Sequence, residues 1–108
     1  MTRIDLPQGT LDLLVLRVLS AGEMHGWGIA QRVSIVSKDA LQLQEGTLYP
    51  ALYRMEAKGW IECEWAVSEN NRRAKYYRLT KVGRKELEAQ KVSWERLTAV
   101  VAQVMQKA

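Results

Sequence analysis

Apolar residues recur at the 3.6-residue period of an α-helix in three successive segments of the first half of the chain. The first, TLDLLVLRVLS, is predicted to begin with Thr10 as its N-cap and Asp12 in its first turn, and it is apolar almost all round. The second is predicted from about His25 to Ser37. The third, GTLYPALYRMEAKG, runs from Gly46 to Gly59 and ends on a residue type typical of helix C-termini. Its inward stripe consists of Leu48, Ala51, Leu52 and Met55.

After the third helix the apolar period changes from 3.6 to 2. Residues 60–67 (WIECEWAV) alternate in the manner of a half-buried strand, and residues 75–79 alternate again. The segment SENN between them, Ser68 to Asn71, is rich in turn-forming residues. A β-hairpin is therefore predicted. Its inner face is expected to carry Ile61, Cys63, Trp65, Val67, Tyr77 and Leu79.

The end of the chain predicts one long amphipathic helix that Thr80 can cap. Its apolar residues lie seven apart in two series, as in a coiled-coil seam, although Gln90 interrupts the seam. Neither this stripe nor the all-round apolar first helix can be covered fully by one small domain, so we expect contact with a second chain. The residues expected at its interface are Leu11, Leu14, Val15, Leu87, Trp94, Leu97, Val101 and Val104.

The order of three helices, a strand, a basic turn and a strand is that of a winged helix-turn-helix. The predicted fold is therefore mainly α with a small β-hairpin. Residues 1–80 would form the DNA-binding domain, and residues 81–108 a dimerisation helix packed on the same domain. In such a domain the third helix enters the major groove, and the turn of the hairpin contacts the DNA backbone or minor groove.

The outer face of the third helix carries the residues expected to meet DNA, which are Thr47, Tyr49, Tyr53 and Arg54. Tyr49 could equally pack on the hairpin or on the second helix, since a tyrosine combines an apolar body with a polar tip. Arg54 could be a solvated charge, but its place on the outer face favours a DNA contact. Pro50 marks either the first turn of this helix or a slight kink just after it.

The net charge of +4 and the pI of about 9.4 are mildly basic, and the distribution of charge is more informative than the total. Residues 70–78 contain four cations and no acid, whereas acids and bases are mixed elsewhere. A soluble turn is the plainer interpretation, but a cation cluster at the tip of a hairpin after a helix-turn-helix favours phosphate contacts from Arg72, Arg73 and Lys75.

Several classes of function are disfavoured. The single cysteine, Cys63, cannot form an internal disulfide or a zinc site of the usual type, and it is expected as a packed thiol in a cytoplasmic protein. His25 is expected as a helix-start residue rather than a ligand. We find no signal peptide, no apolar run of the roughly 20 residues that span a bilayer, and no nucleophile–base pair, carboxylate pair or phosphate loop. An enzyme, a cofactor, a metal and a membrane are therefore not expected.

Three stretches, HGWGIAQRV, EGTLYPALYRMEAKGWI and RRAKYYRLTKVGRKEL, resemble the PadR-like transcriptional regulators over about residues 8–90. The resemblance implies a homodimeric repressor on double-stranded DNA, in which the C-terminal helix pairs with the first helix of the other subunit. It also implies the short C-terminal region of the smaller branch of that family. Two departures are visible: Trp27 stands where a tyrosine is usual, and Gln44-Glu45 replace the Ser-Pro that commonly precedes Gly-Thr.

Trp94 has two interpretations. The first is packing at the dimer interface. The second is the wall of an apolar pocket for a small aromatic effector, which the resemblance implies because some relatives bind flat aromatic compounds between subunits. The sequence thus predicts a regulator that recognises an inverted repeat. The alternative is a winged-helix protein–protein interaction adaptor without DNA binding, because a fold does not by itself establish a function.

Overall fold

The computed structural model of the chain describes residues 6–108. Residues 1–5, with which the predicted DNA-binding domain and the argument about a signal peptide begin, lie outside the described residues. The elements are α1 (Gln8–Ser20), β1 (Met24–His25), α2 (Gly26–Val36), α3 (Glu45–Ala57), β2 (Ile61–Val67), β3 (Arg73–Leu79) and α4 (Lys81–Lys107). This is a winged helix-turn-helix followed by a long helix, which confirms the predicted fold class.

The first helix begins earlier than predicted, and the interpretation of its first turn was wrong. Pro7 is the N-cap, and its carbonyl accepts from the N–H groups of Thr10 (3.0 Å) and Leu11 (3.1 Å). Thr10 therefore lies inside α1. Asp12 lies in the second turn, where it is only 5% exposed, so it has no role at the helix N-terminus.

A single core lies between α1, α2, α3 and the base of the hairpin. It contains the inward stripe predicted for α3, Leu48, Ala51, Leu52 and Met55, all buried. It also contains Leu11, Val15 and Leu87, which were expected at a dimer interface. That expectation is corrected, because a side chain enclosed by its own chain has no surface to offer a second one.

The sheet has three strands in the order β1-β3-β2, whereas the predicted hairpin has two. β1 pairs antiparallel with β3 through Met24↔Tyr77 and His25↔Tyr76. A two-residue strand is too short to produce an alternating pattern, which is why the sequence did not reveal it.

The outer half of β2 does not share the burial predicted for it. Ile61 is buried, but Trp65 and Val67 are exposed. A strand of seven residues extends about 23 Å at roughly 3.3 Å per residue, farther than this small core reaches. The hairpin therefore projects beyond the body as a wing, while Tyr77 and Leu79 at its base are buried as predicted.

The third helix begins at Glu45, so Pro50 is its sixth residue and lies beyond the first turn. The first-turn position is therefore excluded, and a proline at this place leaves the carbonyl of residue i−4, Gly46, without its helical hydrogen bond. At the other end, Gly59 adopts φ 77°, and the N–H groups of Gly59 and Trp60 donate to carbonyls of the last turn at 3.0 and 3.1 Å. This glycine-dependent ending turns the chain directly into β2.

The long helix α4 is attached to the body only at its start. Thr80 Oγ1 accepts from Gly83 N at 3.0 Å, which confirms the predicted cap. Gly83 is buried against the backbone of Trp60, since a Cβ there would lie 1.9 Å from the Trp60 carbonyl oxygen. Beyond Leu87 no residue of α4 is buried. Its exposed apolar side chains include Val92, Trp94, Leu97, Val100, Val101, Val104 and Met105. No helix within residues 6–108 is long and apolar enough to cross a membrane.

Candidate nucleic-acid interface

The exposed face of α3 carries three of the four residues predicted to meet DNA. Thr47 and Tyr53 are exposed, Tyr53 to 75%. Tyr49 is 42% exposed, and its ring lies against the start of α2, because a Cβ at Gly26 would be 2.7 Å from Tyr49 Cε1. The packing of Tyr49 on the second helix is therefore present, and its remaining surface faces outward. We call Thr47, Tyr49 and Tyr53 the reading face.

Arg54 does not belong to this face, and the sequence placed it wrongly. Its Nη2 donates to Asp12 Oδ1 of α1, and its side chain is 27% exposed. Its Nε is buried and has no hydrogen-bond acceptor within residues 6–108. Helical spacing sets Arg54 at the flank between the outer face and the core, and the buried carboxylate of Asp12 draws the guanidinium inward.

The two faces of the wing carry opposite charge patterns. On the outer face Arg78 is surrounded by carboxylates, with Nε 2.8 Å from Glu62 Oε1 and Nη1 3.2 Å from Glu64 Oε1 and 3.8 Å from Glu23 Oε2. The hydrogen bond and charge of Glu62, reinforced by Glu64, raise the pKa of Arg78. Arg78 was counted in the cation cluster of the sequence, but its charge is paired with these glutamates.

The inner face of the wing points towards α3 and carries the three remaining cations of the cluster in residues 70–78. Among residues 6–108, no ion pair involves Arg72, Arg73 or Lys75. The guanidinium carbon of Arg73 lies 5.1 Å and the ammonium nitrogen of Lys75 5.9 Å from the ring centroid of Trp65. Such cation–π contacts contribute about 0.5–1 kcal/mol at exposed sites, so the ring holds both cations over this face without neutralising them. We call Arg72, Arg73 and Lys75 the wing cations.

Tyr49 and Tyr53 of the reading face line one open cleft of about 770 Å³ together with the wing cations, and Thr47 lies outside its lining. Two of its aromatic walls, Trp27 and Trp65, were not among the predicted site residues. Trp65 was expected to point into the core, and the signal that could have revealed it is the length of a strand that ends in a polar turn. Trp27 is exposed at the start of α2, beside the cleft. The cleft thus combines flat apolar walls with a cationic rim.

His25 fastens the tip of the wing to the start of α2. Its Nδ1 accepts from Gly28 N at 2.8 Å, so it caps α2, as expected of a helix-start residue. With Nδ1 as acceptor, the neutral ring carries its hydrogen on Nε2, which lies 3.3 Å from Glu69 Oε1 in the wing turn. A hydrogen bond from its own backbone, and then the one from His25, lower the pKa of Glu69. Tyr76 stacks edge-on against the imidazole at 5.2 Å between ring centroids.

Cys63 is half-buried against the core and donates to Glu56 Oε2 at 3.1 Å. Burial, followed by the hydrogen bond and charge of Glu56, raises the pKa of the thiol. A protonated thiol is a poor nucleophile, in keeping with the packed role expected of it. In the part of the chain that the structure describes, no group of three His, Cys, Asp or Glu side chains could hold a metal ion.

Comparisons with known proteins find transcriptional regulators, and a family model and one solved structure name the PadR family. The model of the family described as "Transcriptional regulator PadR-like family" matches residues 15–89. A transcriptional regulator of Mycobacterium tuberculosis is 30% identical over 97 residues, which cover 90% of this chain and 87% of that protein. A PadR family transcription regulator from Clostridium difficile R20291 is 34% identical, with a TM-score of 0.75 over 88% of this chain and 97% of its own. A transcriptional regulator from Clostridium thermocellum is 29% identical, with a TM-score of 0.81 over 89% of this chain and 90% of its own.

Proposed function

Since the chain belongs to the PadR-like family of transcriptional regulators, which are not enzymes, we propose that it is a homodimeric repressor that binds an inverted repeat in double-stranded DNA. The observation that carries the proposal is the cleft, in which two tyrosines of the exposed helix face and three cations outside any described ion pair line one opening. A major groove about 12 Å wide admits one helix, and the adjoining phosphate strand would follow the cationic rim. With DNA as its partner, the protein is expected to work in the cytoplasm.

In this proposal the two sets of residues have different tasks. Thr47, Tyr49 and Tyr53 meet base edges or the sugar–phosphate backbone of the groove that α3 enters. The wing cations meet phosphates and thereby fix the orientation of the domain without reading sequence.

The exposed stripe of α4 supports the dimer. Trp94, Leu97, Val101 and Val104 all lie on the exposed part of this helix, and Leu14 of α1 is half-buried. Contact with a second copy would remove these apolar side chains from water, which is favourable at about 25 cal/mol per Å². Two α3 helices related by a two-fold axis would then meet half-sites about one helical turn apart. The division into residues 1–80 for DNA and residues 81–108 for dimerisation is part of this proposal.

The dimer is tested by sedimentation at micromolar concentration. Leu97→Glu with Val101→Glu should produce a folded monomer, because two charges would enter the apolar seam. Val92→Glu is the matched control, since Val92 is an exposed apolar residue on the opposite side of α4. A wild-type monomer, or a dimer that tolerates both changes, would remove α4 as the interface.

DNA binding is tested by gel shift with the duplex upstream of the chain's own gene at low salt. Retarded, competitor-resistant complexes are expected. Absence of binding to any fragment of that region would refute the proposal. Negligible, salt-insensitive DNA binding together with a tight protein partner would favour the adaptor instead. The assignment as a repressor predicts that transcription from the bound promoter rises when the gene is deleted.

Release by a flat aromatic effector is the remaining part of the proposal. Trp94 is exposed on α4, where two copies of the indole would face one apolar space across the dimer axis. An aromatic compound that dissociates the DNA complex should lose its effect in Trp94→Ala, compared with the wild type at protein concentrations where sedimentation shows both to be dimers. An equal response of this variant would show that Trp94 only packs at the interface.

A further inference from the structure

One partly buried ion pair joins the first helix to the reading helix. Asp12 is 5% exposed, and its carboxylate accepts from Arg54 Nη2 across 42 residues of sequence. Elsewhere α1 and α3 meet through core side chains such as Leu11, Leu52 and Met55. Apolar surfaces resist separation but have little directional preference, whereas a charge-assisted hydrogen bond has a defined length and angle.

We propose that Asp12 is a positioning residue for DNA recognition, because it holds Arg54 and thereby fixes the rotation of α3 about its axis. This inference rests on the proposed function and adds to it a residue outside the cleft. Arg54 follows Tyr53 directly, so the helical rotation that forms the pair also aims the reading face. Arg54, which the sequence predicted to contact DNA, instead holds the reading face in position.

The geometry shows why a small rotation matters. A side-chain tip lies about 5–6 Å from the axis of its helix, so a rotation of about 20° moves it by about 2 Å. That displacement exceeds the range of roughly 0.5 Å within which hydrogen-bond lengths vary. The helix also lacks one internal hydrogen bond, at Pro50, which increases its dependence on contacts with its neighbours.

The pair has no substitute within the described residues. Asp12 makes its one side-chain ion pair there with Arg54, and Arg54 Nε has no acceptor among residues 6–108. A buried ion pair contributes little net stability compared with apolar residues of similar volume, but it can specify one arrangement among several. A positioning role therefore predicts that the loss of the pair and the loss of stability can be separated.

The test compares DNA recognition with stability in Asp12→Leu combined with Arg54→Met. Wild-type protein first selects a duplex from random DNA, and Kd is then measured for that duplex and for a scrambled duplex of the same composition. The double variant should retain the melting temperature to within a few degrees, because both charges are removed together. Its ratio of scrambled to selected Kd should fall at least about tenfold, comparable with one mismatched base pair. Its salt dependence on the scrambled duplex should not change.

Further variants distinguish positioning from a direct contact. Asp12→Asn should also lower the ratio of scrambled to selected Kd. It replaces the double variant as the test if the double variant does not fold. Arg54→Lys should retain more of the ratio than Arg54→Met. Lys58→Met removes the same charge from the C-cap of α3 and should leave the ratio unchanged.

Two results would overturn the inference. One is an unchanged ratio in the folded double variant and in Asp12→Asn. The other is a salt slope that falls by about one for each Arg54 removed, which would make Arg54 a phosphate contact. If the wild-type protein selects no sequence at all, the proposed function fails, and that outcome is distinguishable from failure of this inference alone.

Discussion

Removal of two wing cations, in the double variant Arg72→Ala and Arg73→Ala, tests the proposed DNA interface most directly. Both side chains are exposed at the tip of the wing, and neither forms an ion pair within residues 6–108. Their loss therefore breaks no internal salt bridge, and the fold should be unaffected apart from the contact of Arg73 with the Trp65 ring. Any large change should appear in DNA binding.

The expected magnitude follows from counterion release. Each phosphate contact contributes about 0.9 to the slope of log K against log salt, so the double variant should lose about 1.8 per chain and about 3.6 per dimer. Raising the salt from 50 to 200 mM, a fourfold change, weakens DNA binding by both proteins. The factor by which the affinity falls should be about 150 times smaller for the variant dimer than for the wild-type dimer. If a single chain bound DNA, the same arithmetic would give about 12-fold. The size of the effect thus also reports how many wings touch the duplex.

Fluorescence anisotropy of a labelled duplex, titrated at several salt concentrations, measures this slope. The affinity should fall equally for specific and scrambled duplexes, because phosphate contacts carry no sequence information. The matched control is Arg84→Ala with Lys85→Ala, which removes the same charge from two exposed positions on α4. An unchanged slope in the wing variant, or an equal reduction in the control, would show that the wing does not contact phosphate.

Three further predictions use single positions. Gly83→Ala should lower the free energy of unfolding by about 3 kcal/mol or more in denaturant titrations, because its methyl group would lie 1.9 Å from a backbone carbonyl oxygen; Gly9→Ala, with open space around it, should be neutral or slightly stabilising. Gly46→Ala, also in open space, should retain stability but weaken DNA binding if α3 approaches the groove closely; unchanged affinity would contradict that approach. Cys63 has a raised pKa, so its contribution to stability is present below pH 9.0 and lost as pH rises through the raised value; alkylation should be half-maximal above pH 9.0, and Glu56→Gln should lower that midpoint.

The elements with long, regular patterns could be predicted from the sequence. The stripe of α3 and the cap at Thr80 were correct because each depends on residues a few positions apart, whose chemistry selects one local structure. The glycine after α3 was equally legible, since φ 77° suits glycine better than other residues. The N-cap of α1 lies three residues earlier than predicted, at Pro7 rather than Thr10.

The side of a helix that meets a partner could not be predicted in the same way. In α1 the apolar residues surround the helix, so the sequence gives no reason to assign Leu11 to the core and Leu14 to the surface. Only the packed structure shows that Leu11 and Val15 are enclosed in the core of their own chain while Leu14 is half-buried. In α4 the same seam passes from the core at Leu87 to the exposed surface at Trp94, because the body of the domain ends between them.

The largest errors in the predicted site concern Trp65, which is exposed, and Arg54, which pairs with a buried carboxylate. Both errors have the same physical origin. Trp65 continues the inward alternation of β2 but lies beyond the core, so its ring faces Arg73 and Lys75 instead of the protein interior. Arg54 belongs to an exposed helix but lies within reach of a buried carboxylate. A local pattern specifies which way a side chain points, whereas the distant elements decide what it meets there. Natural sequences depart from local rules mainly where function requires it. An apolar ring at the wing and a buried charge behind α3 are therefore where loss of DNA recognition should be greatest relative to loss of stability.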